Sequence, residues 1–413
     1  MLHRFRLLTR YSSQIWLLFW GTFASSMGQS LVWPFLTIYI RERLDIPLTQ
    51  ITLLFTLQSV AGFTATTLLG PVMDRLGRKK PMSGGLLASG LTLLLMSQAF
   101  SLWHWAILLP LYGMVNSVFR IGSYAMVADL VASERRAEVY AVLRMGDNLG
   151  IAIGPAFGGI LIAGGYTLSY LLAAVIQLSL VVFVSLNIHE TLAASTNASD
   201  ASLLVPKTVG YGAMLRDYPF LSVWVLYILV QIASSMVFML LGVYVKENFG
   251  ISEDRFGFIV GTNAVMVVLF QYGITRLVDH HTPLRMMTAG ALIYAAGMAV
   301  FGLSDRFVAF LGGMVVFTMG EMLLVPTGTA LVANIAPPDM RARYIGVFSL
   351  SFRVAAGIGP VLGGYLSDAI APVATWYGGM SACLIAALGY LILLRRWRFE
   401  GLAGKKSPAK TRI

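Results

Sequence analysis

Charged residues are scarce in this chain. Asp, Glu, Lys and Arg together make up 12% of its 413 residues, whereas hydrophobic residues make up 57%. Soluble globular domains carry about 25% charged residues, so this composition excludes that class. Apolar stretches of membrane-spanning length follow one another, with short polar breaks between them. The composition therefore predicts an integral membrane protein.

Cysteine is nearly absent, and enzyme motifs are missing. The single Cys383 excludes an internal disulfide and offers no metal-site spacing. The run 404–407, Gly-Lys-Lys-Ser, comes near a phosphate-binding loop but follows no predicted strand, and no His-Glu-x-x-His pair is present. We therefore expect a protein that is not an enzyme, with no cofactor and no metal. Its energy would come from an ion gradient or from the gradient of its own substrate.

Apolar segments of spanning length occur about twelve times, which predicts an all-α fold of twelve transmembrane helices. They cover roughly 14–41, 49–72, 83–101, 106–131, 139–163, 167–188, 218–246, 254–277, 286–303, 307–335, 343–370 and 376–395. The only long polar interval lies at about 189–217. We expect a six-helix bundle at 1–188, a cytoplasmic linker at 189–217, a second six-helix bundle at 218–395 and a basic cytoplasmic tail at 396–413.

The sequence repeats itself at a constant separation of 205 residues. Asp74 recurs as Asp279, and the Gly-Pro pair at 154–155 recurs at 359–360. Two copies of one apolar unit form an interface, and in transporters built from repeats the substrate binds at that interface near the bilayer midplane. The repeat therefore predicts a membrane transporter and the place of its substrate site.

Lysine and arginine residues are distributed unevenly between the two membrane faces. If both termini are cytoplasmic, 22 of the 30 lie inside, five lie outside and three fall within spans. This distribution predicts a multi-pass protein of the plasma membrane, in bacteria the inner membrane, with cytoplasmic N and C termini. The net charge of +11 indicates attraction to membrane lipids and not to nucleic acid. We expect a monomer.

Two motifs resemble those of a known transporter family. The run 70–80 resembles the loop 2–3 motif of the major facilitator superfamily, Gly-x-x-x-Asp-Arg-x-Gly-Arg-Lys, at every defined position. The run 150–159 resembles a motif of that superfamily's antiporters. The resemblance is closest to the drug:proton antiporter branch. It implies two six-helix bundles and export driven by protons.

The loop 2–3 motif is predicted to act as a conformational latch on the cytoplasmic side. Asp74 can face the positive N-terminus of another helix, while Arg78 can pair with Asp129 at the end of the fourth span. The alternative is that these charges only set the membrane orientation. The predicted latch residues are Gly70, Asp74, Arg75, Gly77, Arg78 and Asp129.

Small residues on the fifth span are predicted to form a gate. Gly154, Gly158 and Gly159 allow close helix approach, and Pro155 removes a backbone donor and permits a kink. The alternative is ordinary close packing, which is compatible with a gate.

Polar and charged residues within the spans predict a cavity, because a charge at mid-span costs roughly 2.5–3.5 kcal/mol on insertion scales unless it has a partner or water. Asn116, Arg120 and Tyr124 are four residues apart and form one stripe on the fourth span. Arg144 and Asp147 on the fifth span can pair with each other or both face the cavity.

Glu321 in the tenth span is the predicted proton-coupling residue, with Asp147 as the second candidate. By the 205-residue separation it corresponds to Asn116, as expected for residues that face each other across a central cavity. Its surroundings, Gly-Glu-x-x-x-x-Pro, resemble a run in some antiporters of that branch. The alternative for Glu321 is a structural carboxylate neutralised by an arginine. The alternative for Asp147 is a permanent ion pair with Arg144 or with Arg353, a predicted cavity residue of the eleventh span.

Further polar or amphipathic positions lie on the first and seventh spans, which line the cavity in the family that the chain resembles. These predicted cavity residues are Gln29, Trp33, Gln231, Ser234 and Ser235. For each of them, a hydrogen bond between helices is an equal alternative to a substrate contact.

These patterns together predict a secondary active transporter that exports small amphipathic organic compounds in exchange for protons, by alternating access. One alternative is a facilitator or flippase for polar or anionic metabolites, sugars or lipids. Another is a non-transporting sensor on the same fold. The intact motifs argue against the sensor, since both motifs serve motion.

Overall fold

The computed structural model describes residues 12–162, 164–191, 214, 216–278, 281–337 and 340–399. Asp279, most of the predicted linker and most of the predicted tail lie outside these residues.

The described residues form fourteen α-helices and one 3-10 turn. The helices are α1 (Ser13–Ser30), α2 (Leu36–Leu44), α3 (Leu48–Leu76), α4 (Lys79–Ser97), α5 (Leu102–Val115), α6 (Val118–Leu130), α7 (Ser133–Ile162), α8 (Tyr166–Asn187), α9 (Tyr218–Phe249), α10 (Glu253–Val278), α11 (Pro283–Leu303), α12 (Phe307–Ile335), α13 (Arg341–Ala369) and α14 (Ala374–Phe399). The 3-10 turn Trp33–Phe35 joins α1 to α2.

Ten helical stretches within the described residues are long and apolar enough to cross a membrane. They coincide with ten of the predicted spans. The remaining two, the first and the third, are helical as α1 with α2 and as α4. The predicted all-α membrane fold is confirmed.

Two of the predicted spans are broken near their middle. The first breaks at Pro34, whose missing N–H group cannot continue a helix ladder. The fourth breaks between α5 and α6 at Asn116 and Ser117. The break leaves the Asn116 carbonyl without a helical donor, and the Gln29 side-chain amide donates to it at 3.1 Å. Irregular backbone at membrane depth requires such a partner.

The chain divides into two compact units that do not follow the two halves of the sequence. The first contains described residues within Met1–Thr208 and Phe238–Ala264, and the second those within Val209–Val237 and Val265–Ile413. In the first unit α1 packs on α7, α4 on α8 and α3 on α5; in the second, α11 packs on α12 and α14. The predicted domain boundaries stay a prediction.

Helix α7 approaches α1 so closely that its glycines face backbone atoms. A Cβ atom on Gly146 would lie 3.0 Å from the Phe19 carbonyl oxygen, and one on Gly150 would lie 2.6 Å from that of Phe23. One on Gly158 would lie 2.5 Å from the oxygen of Leu31. The four-residue spacing of these glycines, with Gly154 between them, places them on one helix face. We call this contact the glycine seam.

The same close packing recurs in the second unit. Ser30 Oγ donates to the Gly150 carbonyl at 3.0 Å in the first unit, and Ser235 Oγ donates to the Ala355 carbonyl at 2.9 Å in the second. Both donors and both acceptors are 205 residues apart. The internal repeat is therefore a repeat of contacts as well as of residue types.

The remaining predicted gate residues face α10 within the first unit. A Cβ atom on Gly159 would lie 2.7 Å from the Glu253 carbonyl oxygen, and one on Gly257 would lie 2.7 Å from that of Pro155. The small-residue motif thus packs on α1 through one side and on the start of α10 through the other. A gating role for these residues stays a prediction.

We expect Gly158→Leu to abolish transport, because any side chain there overlaps the Leu31 backbone and the helices must separate. Overpacking of this kind costs about 1–3 kcal/mol. The measurement is substrate flux in liposomes, with the amount of folded protein determined by size-exclusion chromatography.

Gly312→Leu is the matched control, because a Cβ atom at Gly312 on α12 has no heavy atom within 4 Å. It should transport normally. A fully active Gly158→Leu protein would show that the seam tolerates separation and is no gate.

Candidate functional site

A polar cavity of about 60 Å³ lies in the first unit. Helix α1, the break between α5 and α6, and α7 supply its walls. Its lining residues are Thr22, Ser25, Ser26, Gln29, Asn116, Ser117, Phe119, Arg120 and Asp147. Four predicted site residues, Gln29, Asn116, Arg120 and Asp147, are therefore brought together. Since a water needs roughly 10–15 Å³ of such space, the cavity has room for several waters or one small polar group.

Asp147 is the central acceptor of the cavity. Its carboxylate accepts a hydrogen bond from Ser26 Oγ and lies 3.7 Å from Nη1 of Arg120. The Asp147 side chain is 16% exposed and that of Arg120 is 51% exposed. The ion pair therefore lies at the edge of the cavity, with the acid inside and part of the guanidinium accessible.

Of the two arrangements that the sequence leaves open for Arg144 and Asp147, the local ion pair is not formed. Asp147 turns toward α1 and α6, where Ser26 donates a hydrogen bond to it and Arg120 forms an ion pair with it. Arg144 is exposed, and neither a hydrogen bond nor an ion pair joins it to another described residue.

Tyr124 extends the polar stripe of α6 toward α7. Its ring stacks on that of Tyr140 with centroids 5.0 Å apart and planes 13° apart. The Tyr140 hydroxyl donates to the Tyr124 carbonyl at 3.3 Å. Asp147, Arg120 and Arg144 all lie within electrostatic range of the Tyr124 phenol.

Trp33 lies one helical turn beyond Gln29, in the 3-10 turn after α1. Its ring lies 6.2 Å from that of Phe238, the residue 205 positions further along the chain. Corresponding residues of the two repeats are thus in contact inside the first unit.

Part of the cavity wall was not predicted from the sequence. Ser25 and Gln177 exchange two hydrogen bonds, with Ser25 Oγ donating to Oε1 at 3.4 Å and Nε2 donating to the Ser25 carbonyl at 3.2 Å. Gln29 also donates to Ser25 Oγ at 3.3 Å. A signal was present, because Thr22, Ser25, Ser26 and Gln29 are three or four residues apart on one helix.

The second unit contains a separate cluster around Glu321. This half-buried residue lies on α12, within electrostatic range of the phenols of Tyr227 and Tyr294. Ser234 forms a side-chain hydrogen bond with Tyr294. A polar cluster inside apolar helices is therefore present around the predicted proton-coupling acid.

The other predicted residues of the second unit are partly or fully buried. Gln231 and Ser235 are less than 10% exposed, and Ser235 donates to the Ile232 and Ala355 carbonyls. Arg353 on α13 is half-buried. Ser235 thus forms a hydrogen bond between helices, which was the alternative to a substrate contact for this residue. A substrate contact by these residues stays a prediction.

Arg78 is the centre of the predicted latch. Its Nη1 lies 2.7 Å from Asp74 Oδ1 and its Nε lies 3.1 Å from Asp129 Oδ2. Burial of the Arg78 guanidinium opposes its charge, but the hydrogen bonds and attraction from Asp129 and Asp74 outweigh this effect and raise its pKa. Arg78 therefore stays charged, and the predicted contact between Arg78 and Asp129 is present.

The helix N-terminus beside the latch is occupied by Glu190, which was not predicted from the sequence. Its carboxylate accepts hydrogen bonds from the backbone N–H groups of Arg78 and Lys79 at 2.9 and 3.0 Å, which caps α4. Thr191 Oγ1 donates to Asp129 Oδ2 at 2.8 Å. Gly77, with φ of +85°, brings the chain close to Glu190.

Asp74 was predicted to face the N-terminus of another helix. Instead, its carboxylate forms an ion pair with Arg78.

Two reciprocal ion pairs join the ends of α2 and α9 within the first unit. Arg41 Nε lies 2.8 Å from Glu247 Oε1, and Lys246 Nζ contacts Glu42. Arg41 and Lys246 are 205 residues apart, as are Glu42 and Glu247. Each repeat therefore supplies the cation of one pair and the anion of the other.

A third carboxylate extends this cluster. Glu253, at the start of α10, accepts from Lys246 Nζ and from the Tyr166 hydroxyl. The resulting cluster lies on the predicted outer side. The spacing of Tyr39 with Glu42 recurs as Tyr244 with Glu247, but the sequence gave no indication that each acid would pair with the basic residue of the other repeat.

No group of three His, Cys, Asp or Glu side chains within the described part of the chain is placed to hold a metal ion. The site as described consists of ion pairs, amides, hydroxyls and aromatic rings.

The chain matches the model of the Major Facilitator Superfamily over residues 18–244 and 223–412. It is 27% identical over 389 residues to a Na(+), Li(+), K(+)/H(+) antiporter of Planococcus maritimus, covering 87% of this chain and 88% of the relative. It is 27% identical over 361 residues to the multidrug resistance protein MdtG of Escherichia fergusonii, covering 84% of this chain and 86% of that protein.

A solved structure of a mutant nucleoside transporter, NupG, superposes with a TM-score of 0.79 at 14% identity. The match covers 92% of this chain and 100% of NupG. At that identity the likeness concerns the fold alone.

We expect Asp74→Asn to leave folding intact and to reduce turnover. The side chain is 70% exposed, so the substitution costs little stability, but it removes one of the two carboxylates that hold Arg78. Spin-label distances between helix ends on the predicted cytoplasmic side, together with flux in liposomes, measure the shift between conformations.

Asp305→Asn is the matched control, because Asp305 is also 70% exposed and pairs with a neighbouring arginine, Arg306, at 3.1 Å. It should behave as wild type. Wild-type flux and wild-type distances in the Asp74→Asn protein would contradict the latch.

We expect Arg41→Glu to loosen the contact between α2 and α9, and Glu247→Arg in the same protein to restore it. Reversal of Arg41 places like charges together, while the double variant rebuilds the pair with its charges exchanged. The measurement is thiol labelling of a cysteine in place of Ile38, which is 2% exposed. Labelling should accelerate in the single variant and return toward wild type in the double variant.

The buried Cys383 should contribute little background labelling. Equal labelling rates in the wild-type and Arg41→Glu backgrounds would show that the pair does not hold these helix ends together.

Proposed function

This chain belongs to the Major Facilitator Superfamily and is a multi-pass membrane transporter of that family. On this premise, we propose that it exports small amphipathic organic compounds in exchange for protons. Transport proceeds by alternating access, in which the substrate site opens to one face of the membrane at a time.

The observation that carries the proposal is a carboxylate within the membrane spans of each unit. Asp147 is held by Ser26 and Arg120 beside the cavity, and Glu321 lies in the cluster with Tyr227 and Tyr294. Removing a carboxylate from water costs free energy, which proton binding relieves. An acid in such a place can take a proton on one side and release it when its surroundings change.

The relatives support exchange over simple facilitation. One is described as a cation/H(+) antiporter and another as a multidrug resistance protein. Monovalent metal cations are a poor match to the cavity of the first unit, because Asp147 is the one carboxylate among its described lining residues and is already paired with Arg120. The amides and hydroxyls that line it are better suited to a polar group of an organic substrate.

The structure also contains contacts suited to a cycle between two states. Arg78 with its two carboxylates lies at the predicted cytoplasmic side, and the reciprocal ion pairs lie at the predicted outer side. Contacts of this kind hold one state and must break in the other. The proposed location is the bacterial inner membrane, with both termini cytoplasmic and the protein monomeric.

We expect Glu321→Gln to abolish transport driven by a pH gradient while preserving substrate exchange without a gradient. The amide resembles the protonated acid in shape but cannot release a proton. The measurement uses purified protein in liposomes with an imposed pH gradient, screened over cationic, neutral and anionic compounds.

Glu138→Gln is the control for loss of a carboxylate, because Glu138 pairs with Arg135 near the cytoplasmic start of α7 and is 43% exposed. It should keep gradient-driven transport. If Glu321→Gln still concentrates substrate against its gradient, the proton site lies elsewhere, and Asp147 becomes the leading candidate.

The same assay separates the other functions. Flux that is equal with and without a pH gradient identifies a facilitator. The absence of flux for the whole panel, with folded protein and specific ligand binding, identifies a sensor.

A further inference from the structure

Two polar stripes face each other beside the cavity. One contains Arg120 and Tyr124 on α6, and the other contains Tyr140, Arg144 and Asp147 on α7. The Tyr124 and Tyr140 rings stack at one end, and Arg120 pairs with Asp147 at the other end. Arg144 is one turn from Tyr140 and about one turn from Asp147 on the same helix face. It therefore belongs to the stripe that faces α6, and its electrostatic action on Tyr124 agrees with this placement.

The charges of these stripes do not balance. Arg120 and Arg144 provide two positive charges, and Asp147 provides one negative charge that is already engaged by Ser26 and Arg120. Arg144 is exposed and has no ion pair or hydrogen bond with any other described residue. A guanidinium at membrane depth requires an anion, a carbonyl or water to offset its desolvation. One positive charge is thus left for a ligand.

Three features describe a ligand that fits this place. The free charge selects an anion, because a cation would be repelled by two arginines. The planar donor fork of arginine matches the oxygens of a carboxylate or phosphate. The stacked tyrosines one turn away are half-buried, and the exposed part of their rings provides apolar surface for the body of an amphipathic molecule.

We propose that this site binds the anionic group of the transported compound, so that the substrates are organic acids with an apolar body. Arg144 binds the acid group and Arg120 shares it, while the Tyr124–Tyr140 pair contacts the body. The inference rests on the proposed transport function and adds the charge of the substrate to it.

Equilibrium binding tests the inference without any gradient. The probes are arylalkyl and alkyl compounds, each prepared as a carboxylate, as its neutral amide and as the corresponding amine. Wild-type protein in phosphatidylcholine liposomes should bind the carboxylates more tightly than the amides and amines. Arg144→Gln should weaken carboxylate binding roughly ten- to a hundredfold, the usual effect of a lost charge-assisted hydrogen bond, and should leave amide binding unchanged.

Arg135→Gln is the matched control, because it removes an arginine of similar exposure from the same helix near the cytoplasmic side. It should leave carboxylate binding as in wild type. A second set of liposomes that contains phosphatidylglycerol separates a soluble acid from a lipid headgroup. Carboxylate binding that persists there supports the inference, and its complete displacement assigns the arginines to lipid and overturns it.

The inference is also overturned if no carboxylate binds more tightly than its own amide and amine, or if Arg144→Gln binds carboxylates as wild type does. The proposed transport function fails in a different assay, the one with the imposed pH gradient. Export of amines under that gradient would overturn the inference that the substrate is an anion, but not the proposed proton-driven transport. Binding of carboxylates without gradient-driven transport would overturn the proposed proton coupling, but not the anionic substrate.

Discussion

The close approach of α1 and α7 is the contact on which the site in the first unit depends. Gly146, Gly150 and Gly158 place helix backbones in van der Waals contact, where side chains would hold them apart. Asp147 follows Gly146 directly, so the seam brings its carboxylate within reach of Ser26 on α1. The cavity exists because two helices meet at backbone distance while polar residues line the margin of their contact.

A second constraint is that polar groups at membrane depth need partners. The break after α5 frees the Asn116 carbonyl, and Gln29 supplies the donor. The same requirement explains the pairing of Arg120 with Asp147 and the cluster around Glu321. Arg144, which lies beside the first-unit cavity on α7, stands apart from this pattern, since it meets no partner among the described residues. That is why it points to a ligand.

Much of the fold could be predicted from the sequence, because membrane depth fixes the length and apolarity of each span. The 205-residue repeat was likewise visible in the sequence, and the structure shows that contacts repeat with it, in the matching bonds of Ser30 and Ser235. Loop 2–3 predicted the pairing of Arg78 with Asp129, since both the motif and the position at a helix end were visible. The role of Glu190 was not predictable, because a cap on α4 from beyond the end of α8 depends on the packing of those helices.

The sequence by itself determined that this protein is a membrane-embedded helical repeat, because hydrophobicity and periodicity are local properties of the chain. It also placed Arg120, Asp147 and Glu321 within membrane spans. Only the tertiary structure decided that Asp147 pairs with Arg120 instead of Arg144, and that Arg41 and Lys246 exchange carboxylate partners between repeats. These pairings depend on which helix faces meet. Close packing between segments distant in the sequence determines those faces, and the spacing of residues along one helix does not.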